Sequence, residues 1–162
     1  MPTFDEQYPD PLLDLQDQVR DYLEGRPFFA SLNVISERSA TIANRIAKLE
    51  GKAEGLYLTV LTNDGKSTED TTPGPESEVM VDVSVVEKTI VNRKEGTLFL
   101  TATAIISQLL RNLDGWSPAI ALEPLRYQYF KPDGADTEKG ILIMTARFKT
   151  KIQFPTALDE PA

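Results

Sequence analysis

The chain has 162 residues, 41% of them hydrophobic and 26% charged, which suits one folded domain with a real core. It contains no Cys and no His, so disulfides, thiolate nucleophiles, sulfur-bound zinc and Ser-His or Cys-His catalytic arrangements are excluded. The formal net charge of −8 argues against nucleic-acid binding, which needs clustered Lys and Arg.

Residues 1–10 are acidic and polar, unlike a secretory signal, and no stretch approaches the roughly 18 apolar residues of a membrane span. A cytosolic protein without membrane contact is expected. The first element is a helix. Asp10 suits the N-cap, Pro11 the first helical position and Asp14 the first turn. Leu12, Leu15, Val19 and Tyr22 then recur at helical spacing, with Leu13 and Leu23 widening the stripe. Gly25 and Pro27 stop it.

Phe28 to Ser36 reads as a strand, and Glu37 to Gly51 as a second helix with Ile42, Ile46 and Leu49 on one face. Its solvent side carries Arg38, Arg45, Lys48 and Lys52, a basic face that is either simply solvated or a contact surface. Leu56 to Leu61 alternates as a strand and ends in the turn signal Asn63-Asp64-Gly65. Residues 63–78 then lack apolar periodicity and contain Pro73-Gly74-Pro75, which predicts a long, mobile acidic loop. Gly65 directly after Asp64 breaks the spacing of a calcium-binding EF-hand loop. Asp64, Glu69 and Asp70 have the chemistry to hold magnesium, but a charge-rich loop presents the same residues without a metal. Neither a metal nor a cofactor is expected.

Val79 to Val91 is the clearest strand, with Val79, Val81, Val83 and Val85 on one face and Met80, Asp82, Ser84 and Val86 on the other. Thr97 to Leu113 switches to helical spacing through Leu98, Ala102, Ile105, Ile106, Leu109 and Leu113, and Gly115 follows as a stop. Trp116 beyond it fits either a lid on the core or a binding anchor. Glu123 to Phe130 alternates as a strand, Pro132-Asp133-Gly134 reads as a turn, and Ile141 to Phe154 closes the fold as the second arm of an antiparallel hairpin. Tyr127, Tyr129 and Phe130 could stack nucleic-acid bases, a use that the acidic balance opposes.

One domain over residues 1–162 is expected, with loose termini at 1–9 and 155–162. Its fold class is α+β: a two-layer sandwich with a mostly antiparallel sheet of about five strands, covered on one face by about three helices. Charge is segregated. Residues 1–25 hold seven carboxylates against Arg20, and residues 63–78 hold Asp64, Glu69, Asp70, Glu76 and Glu78 against Lys66. Solubility explains such acidity, and so does an acidic rim that faces a partner.

The order of elements carries a resemblance. The amphipathic helix Leu12 to Leu23 precedes Val34-Ile35-Ser36-Glu37-Arg38 and the Ile/Ala-rich helix Thr41 to Leu49. Then come Tyr57-Leu58-Thr59-Val60-Leu61-Thr62, the Pro73-Gly74-Pro75 loop, the Val-rich strand Val79 to Glu87, Asn92-Arg93, a long helix, and a hairpin ending in Arg147-Phe148. Over residues 10–154 this resembles small prophage-encoded proteins of the tail terminator or tail-completion type.

The resemblance implies a protomer that closes into a homo-oligomeric ring, commonly a hexamer, with no catalytic residues. The ring would cap the tail tube and present a docking surface to the head. Its partners would be the tail tube protein and a head-completion protein, and its location the host cytoplasm during assembly and then the virion. The acidic segment 63–78 departs from the family pattern. Arg38, Arg45, Lys48, Lys52, Asp64, Glu69, Asp70 and Trp116 are the candidate interface residues. The alternatives are a monomeric acidic module that mimics nucleic-acid charge, and an enzyme subunit working through carboxylates or magnesium.

Overall fold

The computed structural model describes residues 9–39, 56–68, 75–88, 101–136 and 140–155. Helix α1 spans Pro11–Glu24. The Asp10 carboxylate accepts the backbone N–H groups of Leu12 and Leu13, both at 3.1 Å, so two otherwise orphaned donors are satisfied at its start. At the other end the Gly25 N–H donates to the Asp21 carbonyl. Leu15, Val19 and Leu23 are wholly buried, each stabilising the fold by roughly 1.5–3 kcal/mol through lost apolar surface.

The strand expected over 28–36 is mostly replaced by a 3-10 turn, Pro27–Phe29, followed by a three-residue strand β1, Asn33–Ile35. Pro27 fixes the backbone angle at the start of the turn. The Leu32 N–H donates to the Phe29 carbonyl, using a group that a ladder would need, and Phe29 turns fully into the core. Residues 37–39 begin a helix, and the rest of the helix expected to Gly51 lies outside the described residues.

Strand β2 spans Leu56–Ser67 and pairs antiparallel with β3, Glu76–Lys88. The Asn63-Asp64-Gly65 turn is not there. Instead the ladder shifts register between Thr62 and Asp64 and continues to Ser67↔Ser77, so residues 63–67 and 76–78 of the expected loop are strand, and residues 69–74 lie outside the described residues. One extra residue in a ladder makes a bulge, and Asn and Gly suit bulges as well as turns.

Helix α2, Ala102–Leu113, is capped by Thr101, whose hydroxyl accepts the Ala104 N–H at 3.2 Å. The buried Glu87 carboxylate of β3 accepts the Ala102 N–H at 3.2 Å, tying the helix start to the sheet. Residues 97–100 of the expected helix lie outside the described residues. Gly115 has φ +82, a left-handed geometry in which a side chain would be strained, and its N–H donates to the Leu125 carbonyl at 2.7 Å.

Strand β4, Arg126–Asp136, begins three residues later than expected and runs through Pro132-Asp133-Gly134, again with a register shift where a turn was expected. Strand β5, Ile141–Gln153, pairs with β3 on one side and β4 on the other. The sheet order is β1-β2-β3-β5-β4, with β1–β2 parallel and every other pairing antiparallel.

Side chains alternate across this sheet. Leu58 and Val60 of β2, Val79, Val81, Val83 and Val85 of β3, and Ala146, Phe148 and Ile152 of β5 form one buried cluster with α1 and with Ile105, Ile106, Leu109 and Leu113 of α2. Both helices therefore lie on one face. The architecture is the α+β two-layer sandwich that the residue pattern predicts.

Candidate functional site

The far face of the sheet, turned away from α1 and α2, is built differently. Its residues come from the intervening positions of each strand, and the cross-strand register sorts them into rows. Tyr57, Val86 and Ile143 lie side by side in an apolar row. Next come Thr59, Ser84, Thr145 and Lys131, and then Leu61, Asp82, Arg147 and Tyr129.

The third row contains the most constrained polar group of the protein. The Asp82 carboxylate takes two hydrogen bonds from the Arg147 guanidinium, Nε to Oδ1 at 2.8 Å and Nη2 to Oδ2 at 2.9 Å. Asn63 Nδ2 donates to Oδ2 at 2.9 Å. Burial by itself would push the Asp82 carboxyl up, but the bonds from Arg147 and Asn63 more than offset it and hold the carboxyl below the usual range. The bonds to Asp82 hold the Arg147 guanidinium well above its ordinary value. Arg147 also lies 5.6 Å from the centroid of the Tyr129 ring, with Lys131 Nζ at 5.7 Å from the same ring.

Two of the three register shifts in the sheet serve this row. The shift between Thr62 and Asp64 brings Asn63 to Asp82, and the shift between Tyr127 and Tyr129 puts Tyr129 opposite Arg147. In the neighbouring row Thr145 Oγ1 donates to Asp133 at 2.9 Å. Its single proton is thereby used, so Ser84 donates to Thr145 across 2.7 Å. The network fixes register and shape. Asp82 and Arg147 are each other's main partners rather than a poised acid and base.

At the margin of this face runs β4, the outer strand of the sheet. The three exposed large hydrophobic side chains among the described residues are Leu122 at 50%, Tyr129 at 38% and Phe130 at 47%. All lie on β4 or just before it, and the Leu122 N–H donates to the Lys151 carbonyl of β5, continuing the same margin. Arg126 and Lys131 flank the two aromatic rings and are exposed.

Of the candidate interface residues read from the sequence, Arg38, Asp64 and Trp116 are described, and each meets different neighbours. Arg38 donates to Asp14 Oδ1 at 2.6 Å and Asp17 Oδ2 at 3.0 Å, so it meets the acidic face of α1 within its own chain. The bond to Asp14, then that to Asp17, raises its guanidinium well above the ordinary value. Arg20 bridges Asp17 at 3.3 Å and Asp21 at 3.0 Å. Asp64 is exposed on β2, opposite Met80. Trp116 stacks on Tyr22 with centroids 3.9 Å apart and packs, half-buried, against the core. Arg45, Lys48, Lys52, Glu69 and Asp70 lie outside the described residues.

Asp82, Arg147 and Asn63 were not singled out from the sequence as site residues, and Phe130 was noted only with Tyr127 and Tyr129 as a base-stacking candidate. The available signal was an acid set within the valine run of one strand and an Arg opening the basic half of another, a pair that cross-strand pairing brings together. Among the described residues no group of three or more carboxylates is arranged to hold a metal ion, and no helix is long and apolar enough to cross a membrane.

No family model and no curated protein sequence matches the chain. Solved structures do match. A chain of the virion of a native gene transfer agent particle superposes with a TM-score of 0.55, covering 86% of this chain and 95% of its own. The fold is shared almost end to end. Sequence identity is 16%, so the likeness speaks for the fold alone. A second solved structure, also 16% identical, gives a TM-score of 0.50 over 88% of this chain and 93% of its own.

Proposed function

We propose that the chain is a structural protein of a phage or phage-like virion, a tail terminator-like ring subunit that caps the tail tube at the head–tail connection, and not an enzyme. The observation that carries this reading is the fold match, over nearly the whole of both chains, to a chain of a gene transfer agent virion. It agrees with the independent resemblance of residues 10–154 to tail terminator and tail-completion proteins. The absence of His and Cys from the sequence supports a structural role, since the usual nucleophile–base pairs cannot be assembled. In this reading the partners are further copies of the chain, the tail tube protein and a head-completion protein. The protein works in the host cytoplasm and ends in the virion.

The acidic-module reading loses support from the ion pairs of α1. Asp14, Asp17 and Asp21 are answered by Arg20 and Arg38 of the same chain, which leaves a poor imitation of a phosphate row. The same pairs redirect the search for the ring contact. The acids of α1 and Arg38 already meet within one protomer, so Arg38 is a weak candidate for joining two.

The test is assembly on a tube. Purified protein added to growing tail tubes should stop their elongation, and electron microscopy should show a ring of density on one end. A chain that stays monomeric at high concentration, leaves elongation unchanged and binds no tube overturns the proposal.

A further inference from the structure

We propose that the Asp64-Gly65 step of β2 is a site of spontaneous modification, at which Asp64 converts to isoaspartate through a cyclic succinimide. The inference does not depend on the virion reading.

The sequence holds three Asp-Gly steps, at 64–65, 114–115 and 133–134. Aspartate cyclises most readily before glycine, which has no side chain to keep its backbone nitrogen away from the carboxyl carbon. In the reaction the Gly65 nitrogen attacks the Asp64 side-chain carbon. A C–N bond forms, and the carboxyl hydroxyl leaves as water with the amide proton. Water then opens the ring. Opening at the side-chain carbonyl restores aspartate, and opening at the main-chain carbonyl leaves the backbone running through the side chain as isoaspartate. The water lost is regained, and no oxidant or reductant is needed.

The fold restrains the other two steps. Asp114 Oδ1 accepts the Tyr127 N–H at 2.9 Å, and the Gly115 N–H donates to the Leu125 carbonyl at 2.7 Å, so both reacting groups are held. Asp133 Oδ2 accepts the Thr145 hydroxyl at 2.9 Å. The Asp64 carboxylate is exposed and makes no hydrogen bond or ion pair among the described residues.

The ladder also leaves the Gly65 nitrogen accessible. The Thr68 N–H donates to the Glu76 carbonyl at 3.1 Å, which makes 68 and 76 a hydrogen-bonded pair. Such pairs alternate along an antiparallel ladder, so Lys66↔Glu78 and Asp64↔Met80 are hydrogen-bonded and Gly65↔Val79 is not. The other side of β3 agrees. The Phe154 N–H donates to the Pro75 carbonyl at 2.8 Å, and the same alternation turns the backbone groups of Val79 toward Thr150 of β5. The Gly65 N–H therefore points away from β3. On that side β1 pairs only with Tyr57, Leu58 and Thr59. Residues 63–67 of β2 are exposed and follow a bulge, a combination that opens at low cost.

The location gives the change a structural consequence. Isoaspartate adds one carbon to the backbone directly after Asn63, whose amide donates to Asp82 at 2.9 Å. The bulge that delivers Asn63 to the far face is then displaced, in a ladder whose facing depends on register.

The test is ageing of the whole folded chain in heavy-oxygen water at physiological temperature, beside a sample in urea. Each Asp-Gly peptide is scored for isoaspartate by enzymatic methyl transfer and for heavy oxygen by mass. Folded protein should gain isoaspartate at 64 several-fold faster than at 114 or 133, and in urea the three rates should converge. A folded chain in which Asp64 is no faster than the other two overturns the site. Asp64→Asn forms the same ring by losing ammonia and should age faster still. An Asn that persists at 64 for as long as Asp64 does also overturns the site. Asp64→Ala cannot cyclise, so fresh and aged samples should unfold at the same urea concentration, whereas aged wild type should unfold at a lower one than fresh. Aged wild type rich in isoaspartate at 64 that unfolds like fresh protein overturns the link to register.

Discussion

The two faces of the sheet solve the same problem by different means. On the helix-covered face, apolar side chains repeat along β2, β3 and β5 and are buried by α1 and α2, so stability there is a matter of area and volume. On the far face, Asp82 is almost as buried as its valine neighbours, yet its environment is an ion pair, an amide and an aromatic ring. The first face tolerates any residue of similar size and hydrophobicity. The second depends on a register that must be right to within one residue, because a slip would put Asp82 against the core. The difference teaches that burial in this protein has two roles. One face supplies stability, and the other fixes which pairing of strands is adopted and so where Tyr129 and Phe130 emerge.

The comparison is broken most severely from the covered side. Val83 is fully buried between Val60 of β2 and Ala146 of β5, under the helices. Val83→Asp would put a carboxylate there with no partner, and is expected to cost about 4 kcal/mol or more. For a domain of marginal stability that means a largely unfolded protein at 37 °C, visible by circular dichroism. A variant that melts like wild type would show that the assigned facing of β3 is wrong.

How much of this was legible in the sequence follows from the same contrast. The covered face announces itself locally: the stripe of α1, the valines of β3 and the apolar spacing of α2 each need only their own segment to be read. The Asp10 cap and the Gly115 stop are local in the same way. The far face is non-local. Whether Asn63-Asp64-Gly65 and Pro132-Asp133-Gly134 turn the chain or bulge it depends on a ladder partner far along the sequence, and turn-type residues satisfy both. Asp82 and Arg147 are 65 residues apart, so their pairing becomes visible only when β3 and β5 are aligned. Phe29 shows a third case. The run from Phe28 to Ser36 has strand-like composition, but Pro27 starts a turn and the core claims the ring.

The next largest effect separates the role of the ion pair from its strength. Arg147→Ala leaves Asp82 buried with only Asn63 to answer it, and is expected to cost about 3 kcal/mol. The double variant Asp82→Leu/Arg147→Met replaces both charges by apolar groups and should recover most of that loss. Urea unfolding of both variants measures the two terms. If the double variant is as unstable as Arg147→Ala, the pair adds stability as well as register. The pH response has a fixed sign. Asp82 is held below the ordinary carboxylate range in the folded state, so its contribution is present above about pH 4 and fades as pH falls further, through the native value. The stability difference between wild type and Asp82→Asn should therefore be flat at neutral pH and shrink below about pH 4.

The smallest expected effect lies where the two kinds of burial meet. Glu87 is on the covered face of β3, yet it is charged, and its carboxylate accepts the Ala102 N–H at the first turn of α2. Helix starts carry partial positive charge, so the carboxylate answers both an orphaned donor and the dipole. Glu87→Gln keeps an oxygen able to accept that hydrogen bond and removes only the charge. The expected loss is about 1 kcal/mol, or roughly 2–4 °C in the melting temperature of a chain of this size. Glu87→Leu removes the acceptor too and leaves the Ala102 N–H unsatisfied, for about 1–3 kcal/mol in total. If the Leu variant is no worse than the Gln variant, the helix start is satisfied without Glu87, and α2 is held to the sheet by its apolar face alone.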